Sequence, residues 1–182
     1  MKKENMVLYV LRIALTLLVI TAVVAGLLSV VNGVTAPIIA QLTWEKTQKA
    51  IEAVLPGGGE EVEFTDSTGI VTCVYKGENG YAVQVEPVGF DGAVTMMVGV
   101  DFEDKVLGIS IIDQSETAGL GAVCAAATSA GEAFRNQYIG MSGTLAVTKD
   151  GGEVDAITSA TITSRAVTTG VNAALGCVAN FG

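Results

Sequence analysis

The sequence predicts an α+β protein: one apolar helix at the N-terminus, a second helical segment, then a domain with a mostly antiparallel sheet flanked by helices. Three observations predict it. An uncharged run of 19 residues spans Ile13–Val31. Four β-like runs succeed one another between short turn-forming breaks, and the chain closes on a segment with helical apolar spacing. The 182 residues are 50% hydrophobic and 5% aromatic, which suits one compact domain with a short addition rather than two large ones.

The first element is the apolar run. At 1.5 Å per residue it reaches about 28 Å, close to the thickness of a bilayer's hydrocarbon core. Residues 1–31 hold Lys2, Lys3, Arg12 and Glu4, a net +2, whereas residues 32–182 hold 7 basic and 18 acidic groups, a net −11. Basic residues flank the N-terminal side of the run, and the next one is Lys46. The positive-inside rule then predicts a single span in the cell membrane, with the N-terminus in the cytoplasm and residues 32–182 on the periplasmic or extracellular side. A cleaved signal peptide would need a shorter apolar region and a small-x-small site, and a buried core helix is the other reading of such a run.

Beyond it, Thr35 as a cap and Pro37 at a first helical turn predict a stalk helix. Ile38, Leu42, Ile51, Val54 and Leu55 recur at helical spacing, and Pro56-Gly57-Gly58-Gly59 stops it. The expected division is therefore 1–31 for the cytoplasmic tip and anchor, 32–59 for stalk and linker, and 60–182 for the domain.

Within that domain, Ile70–Tyr75, Tyr81–Glu86, Val94–Asp101 and Val106–Ile112 read as strands. The breaks between them suit hairpins. Helical stretches are expected around Ala122–Ala127 and Gly131–Tyr138, a further strand near Thr144–Lys149, and a closing helix over Ser164–Val178, with Val167, Val171, Ala174, Leu175 and Val178 on one face.

Composition excludes much chemistry. There is no His, which removes Ser-His-Asp hydrolases, Cys-His proteases, HExxH zinc enzymes and His-ligated haem. The acidic balance argues against nucleic acid as a partner. Cys73, Cys124 and Cys177 are widely spaced in apolar contexts; they read as small buried hydrophobes, with a Cys73–Cys124 or Cys124–Cys177 bridge as the other reading. No metal cluster and no catalytic residue are expected.

The chemically informative stretch is Asp155–Ser164. One reading is a helix start, with hydroxyls capping free amides and Asp155 at the positive end of the dipole. The other is a phosphate site, because hydroxyls and free amides at a helix start also hold phosphate.

Asp155-Ala156-Ile157-Thr158-Ser159-Ala160-Thr161 resembles the flavinylation motif of FMN-binding domains, D-x-x-[ST]-[GS]-A-T. Ser115-Glu116-Thr117-Ala118-Gly119-Leu120-Gly121 resembles that family's S-E-T-P-G-L-G loop, with Ala118 in place of Pro. Gly80–Val83, Gly89–Gly92 and Val98–Asp101 resemble its central sheet, and Val54–Gly57 the end of its stalk helix. The likeness covers nearly the whole chain and is nearest to the G subunit of Rnf-type ion-translocating complexes. The C subunit of the sodium-translocating NADH:quinone reductase is a longer homologue.

The resemblance implies FMN joined through its phosphate to the Thr161 hydroxyl by a separate flavin transferase, with FAD as donor and a divalent metal. It implies that Ser159, Ala160, Thr163 and Ser164 bind the cofactor and that Asp155 and Thr158 belong to the flavinylation motif. On their chemistry, the Thr163 or Ser164 hydroxyls and nearby amides read as the phosphate's holders, and Asp155 as positioning the motif for the transferase or its metal. The resemblance also implies that Glu116, Thr117, Gly119, Leu120 and Gly121 lie against the isoalloxazine ring. Lys149, in a Lys-Asp-Gly-Gly turn, reads as solvated, with pairing to the phosphate as the other reading. The implied function is an electron relay among other membrane subunits, anchored in lipid. A stand-alone anchored flavoprotein serving a soluble acceptor, or an anchored binding domain without a cofactor, would share the same architecture.

Overall fold

The computed structural model describes residues 3–181; Lys2, one of the expected flanking charges, lies outside the described residues. The chain forms two compact units, Met1–Trp44 and Glu45–Gly182.

Helix α1 runs Lys3–Val54. Within the first unit its large apolar side chains are exposed all round, and the helix is long and apolar enough to cross a membrane, one 18-residue stretch of it having a mean hydropathy of 2.6. Two hydroxyls of the apolar run are satisfied within the helix: Thr16 and Thr21 donate to the carbonyls of Arg12 and Leu17 at 2.7 and 2.6 Å. Such back-bonding lowers the cost of a hydroxyl where no water can accept from it. The expected break at Thr35–Pro37 is absent. Thr35 caps nothing; its hydroxyl donates to the Val31 carbonyl at 2.7 Å, and Pro37 lies inside the helix. Pro37 removes one backbone donor from the ladder, and the helix continues through it.

The second unit is built on an antiparallel meander. Strands β1 (Glu60–Glu61), β2 (Val71–Lys76), β3 (Gly80–Val85), β4 (Thr95–Asp101) and β5 (Val106–Asp113) lie in sheet order 1-2-3-4-5. The four expected strands appear within a residue or so of their expected bounds. The two-residue β1 edge carries no alternation that a sequence could reveal. Register puts Val74, Val83, Val98 and Ile109 in one cross-strand row, and Tyr75, Ala82, Gly99 and Gly108 in the next, on the opposite face.

The two faces are covered differently. The end of α1 lays Ala50, Ile51, Val54 and Leu55 against Tyr75, Ala82, Met97 and Ile112. At Gly99 the approach is so close that a Cβ would sit 2.5 Å from the Val54 carbonyl oxygen. The stretch expected as a stalk thus closes a second core in its last turns. The valine face is covered by α2 (Ser129–Asn136) and α3 (Thr161–Val178), with Val167, Val171, Ala174 and Phe134 in that core. Thr128 caps α2, its hydroxyl accepting from Gly131 N–H at 3.3 Å. Tyr138, fully buried, shares a hydroxyl hydrogen bond of 2.8 Å with Thr168 of α3.

Three local expectations change. Ala122–Ala127 is a short 3-10 turn over Gly121–Ala125 rather than a helix. The strand expected near Thr144–Lys149 is a 3-10 turn over Thr148–Asp150, ended by left-handed Gly151 and held by a lone bridge between Val147 and Val154. Helix α3 starts at Thr161, three residues before the expected Ser164. All three cysteines are free. Burial pushes the Cys124 thiol up to about 11, with the Glu116 carboxylate adding to it, so this sulfur stays an inert apolar filler.

Candidate functional site

Two loops frame the site. The first follows β5. Glu116 turns inward and is only 7% exposed. Its Oε1 accepts from the Phe90 and Asp91 amides at 2.8 and 3.1 Å, and its Oε2 accepts from the Thr163 hydroxyl at 2.5 Å. One carboxylate thereby ties the 89–91 turn, its own loop and the start of α3 together, every lone-pair contact met by a donor. The packing leaves no room for a side chain at Gly121, where a Cβ would collide with Glu116 Oε2 and Thr163 Oγ1. Thr117 donates to Asp91 Oδ2 at 3.1 Å, and Gly119 holds a φ of +77° that favours glycine.

The second loop leads into α3. Gln137, just past α2, grips the backbone of Asp155: its Oε1 accepts from the Asp155 amide at 2.7 Å and its Nε2 donates to the carbonyl at 3.2 Å. Ser159 is left-handed, with φ +61°, the conformation for which glycine serves as well as serine. Ala160 occupies the position before the helix and supplies no side-chain cap. Ser164 lies beneath, accepting from Ile157 N–H and donating to the Ala160 carbonyl, both at 2.9 Å. The first helical bond comes from Ser164 N–H to the Ala160 carbonyl at 3.0 Å, so the amides of residues 161–163 form an uncapped, positive helix end.

Between the loops is a cavity of about 170 Å³ lined by Phe90, Glu116, Thr117, Leu120, Gly121, Ser159, Ala160, Ile162 and Thr163. Its mouth is apolar, with Phe90 and Ile162 64% and 50% exposed, and its floor is the Glu116–Thr163 pair. Half-buried Thr161 follows Ala160 directly. Its hydroxyl accepts from Lys149 Nζ at 2.8 Å.

Seven of the residues singled out in sequence thus meet in one cavity. Asp155, Thr158 and Gly119 line a separate, wider hollow with Phe134 and Gln137. Thr163 and Ser164 were expected to offer hydroxyls to a phosphate. Both hydroxyls have protein partners, so what they can present is the helix end they build. Lys149, read as solvated, contacts Thr161. Phe90, Ile162 and Gln137 were not foreseen; an aromatic after Gly89 in a hairpin turn is the one local signal among them.

A slot with apolar walls at an uncapped helix start, with the Thr161 hydroxyl one residue beyond Ala160, fits a planar ring carrying a phosphate. The fold is that of an FMN-binding domain, and residues 89–176 match the FMN-binding domain family. Over 94% of this chain and 93% of the relative, it is 33% identical to the G subunit of the Na(+)-translocating ferredoxin:NAD(+) oxidoreductase complex of Acetobacterium woodii. The G subunit of the ion-translocating oxidoreductase complex of Methanosarcina acetivorans is 30% identical, with 92% of this chain and 93% of the relative covered. A solved structure of the C subunit of the Na(+)-translocating NADH-quinone reductase from Parabacteroides distasonis aligns at 26% identity over 58% of this chain and 59% of that one, with a TM-score of 0.44. The chain belongs to the family of G subunits of ion-translocating oxidoreductase complexes.

Proposed function

We propose that this protein is an electron-relay subunit of an Rnf-type membrane complex, carrying FMN in a phosphoester bond to Thr161 on the outer membrane face. The observation that carries the reading is the junction of two features: the cavity between the motif loops, and the Thr161 hydroxyl at an uncapped helix end beside it. When bound, FMN supplies one- and two-electron transfer that none of this chain's side chains can perform.

The protein's own residues do the rest. Phe90, Leu120 and Ile162 exclude water from the slot. Glu116 and Thr163 fix its floor, and backbone at Gly121 approaches closely. The amides of residues 161–163 meet the phosphodiester's single negative charge. Thr161 has no histidine to activate it, so a flavin transferase must complete the attachment. Asp155 and Thr158, exposed on the neighbouring hollow, are the surface offered to that enzyme. The other complex subunits are the electron donor and acceptor, and the apolar helix anchors the relay beside them in the lipid.

The test is to incubate the detergent-solubilised full chain with a flavin transferase, FAD and Mg²⁺. A denaturing gel then reads covalent fluorescence, and intact mass reads the adduct. One FMN less water added to the wild type and nothing added to Thr161→Ala supports the reading. An unmodified wild type, with the transferase active on a control acceptor, overturns it in favour of a cofactor-free anchored domain.

A further inference from the structure

Lys149 and Asp150 are adjacent on the short turn before the motif. Thr161 and Arg165 are four apart on α3, and so share one face of the helix. The two pairs interlock. Asp150 accepts a two-pronged bond from Arg165, Nε to Oδ2 at 2.7 Å and Nη2 to Oδ1 at 2.6 Å. One residue back and one turn up, Lys149 Nζ donates to Thr161 Oγ1 at 2.8 Å. Among the described residues no carboxylate pairs with Lys149, so the threonine oxygen is what this ammonium meets.

We propose that Lys149 activates the Thr161 hydroxyl for flavin transfer and afterwards neutralises the linked phosphate, with the Asp150–Arg165 pair as the positioning clamp that sets its reach. The inference rests on Thr161 being the attachment site. In the transfer step the Thr161 Oγ–phosphorus bond forms as the bond from that phosphorus to the bridging oxygen of the FAD pyrophosphate breaks. AMP leaves with the bridging oxygen, the hydroxyl proton passes to solvent, and nothing is oxidised or reduced. An ammonium donating to Oγ stabilises the charge that gathers there as the proton leaves. It also offers an anionic dinucleotide a local cation on a domain that is otherwise strongly acidic. Once the bond is made, the diester's negative charge lies between this ammonium and the helix end.

The experiment measures initial flavinylation rates of the full chain in detergent, by gel fluorescence and intact mass, over a range of acceptor concentrations. Lys149→Met keeps the alkyl stem and removes the charge. Its rate at saturating acceptor is expected to fall about 10- to 100-fold, the range that loss of a charge-assisted hydrogen bond would give. Lys149→Arg is expected to restore most of it, and Asp150→Asn to lie between. Raising ionic strength should slow the wild type and leave Lys149→Met nearly flat. Should Lys149→Met fail to fold, Lys149→Gln carries the same test.

A wild-type saturating rate in Lys149→Met overturns the proposal. So does a change in KM alone, which would make Lys149 a docking contact for the transferase. If instead the wild type takes no flavin, or Thr161→Ala still takes it, the attachment reading itself has failed, and the two failures are told apart in one series.

Discussion

The two loops that bound the cavity have similar compositions, rich in hydroxyls, small residues and one acid each, yet the structure treats them in opposite ways. In the Ser115–Gly121 loop the acid is buried and every contact is satisfied from within the protein. In the Asp155–Thr161 loop the acid, Thr158 and Ser159 are exposed, and the last hydroxyl meets a single flexible lysine. Buried and saturated groups hold a shape; exposed and undersupplied groups are where chemistry can begin. The first loop is the mould and the second is the handle.

Substitutions can sharpen or break that contrast. The largest effect falls on the open loop: Thr161→Ala should abolish covalent flavin while leaving the melting temperature almost unchanged, and Thr161→Ser should keep part of the label. A large loss of stability in Thr161→Ala would erase the distinction. Next comes the saturated loop. Glu116→Ala strands two amides and a hydroxyl, and should cost about 3 kcal/mol in a urea titration. Glu116→Gln should cost less, because its amide oxygen still accepts from Phe90 and Asp91 and its NH₂ can donate to Thr163.

Gly121→Ala, which forces a Cβ into the Glu116–Thr163 contact, should cost about 2 kcal/mol by the same measurement. The smallest effect belongs to Asp150→Asn. Arg165's hydrogen bonds hold the Asp150 carboxyl below its ordinary value of 3.8. Because that value is depressed on folding, the pair's contribution is present above pH 3.8 and is lost as pH falls through the folded value. Both groups are solvent-exposed and the contribution is small. The gap in melting temperature between wild type and Asp150→Asn should therefore be slight at pH 7 and shrink further as pH falls below 3.8.

Much of the scaffold was legible in the sequence because its signals are local. Alternating valines between Gly-rich breaks located β2–β5, and the spacing of Val167, Val171 and Ala174 located the face of α3. The motif residues marked the site for the same reason, being contiguous. What escaped was tertiary. Val147 looks like a strand residue, yet it finds only Val154 as a partner, so its segment curls into a 3-10 turn. Pro37 carries a helix-start signal, yet α1 begins far upstream and runs past it. Lys149 reaches Thr161 across a 12-residue separation, and Gln137 reaches Asp155 across 18. No spacing rule encodes either contact, because each depends on where α2 and α3 dock on the sheet.

The way α1 ends has a practical consequence for anyone who wishes to cut the chain. The Pro-Gly-Gly-Gly stop invites a start at residue 60, yet such a fragment would bare one whole face of its sheet. Ile51, Val54 and Leu55 are buried there, at about 2 kcal/mol each, and Tyr75, Met97 and Ile112 would meet water in their place. A fragment beginning at Glu45, where the second unit begins, keeps its lid. The two compact units are thus divided inside helix α1, between Trp44 and Glu45, not at a linker.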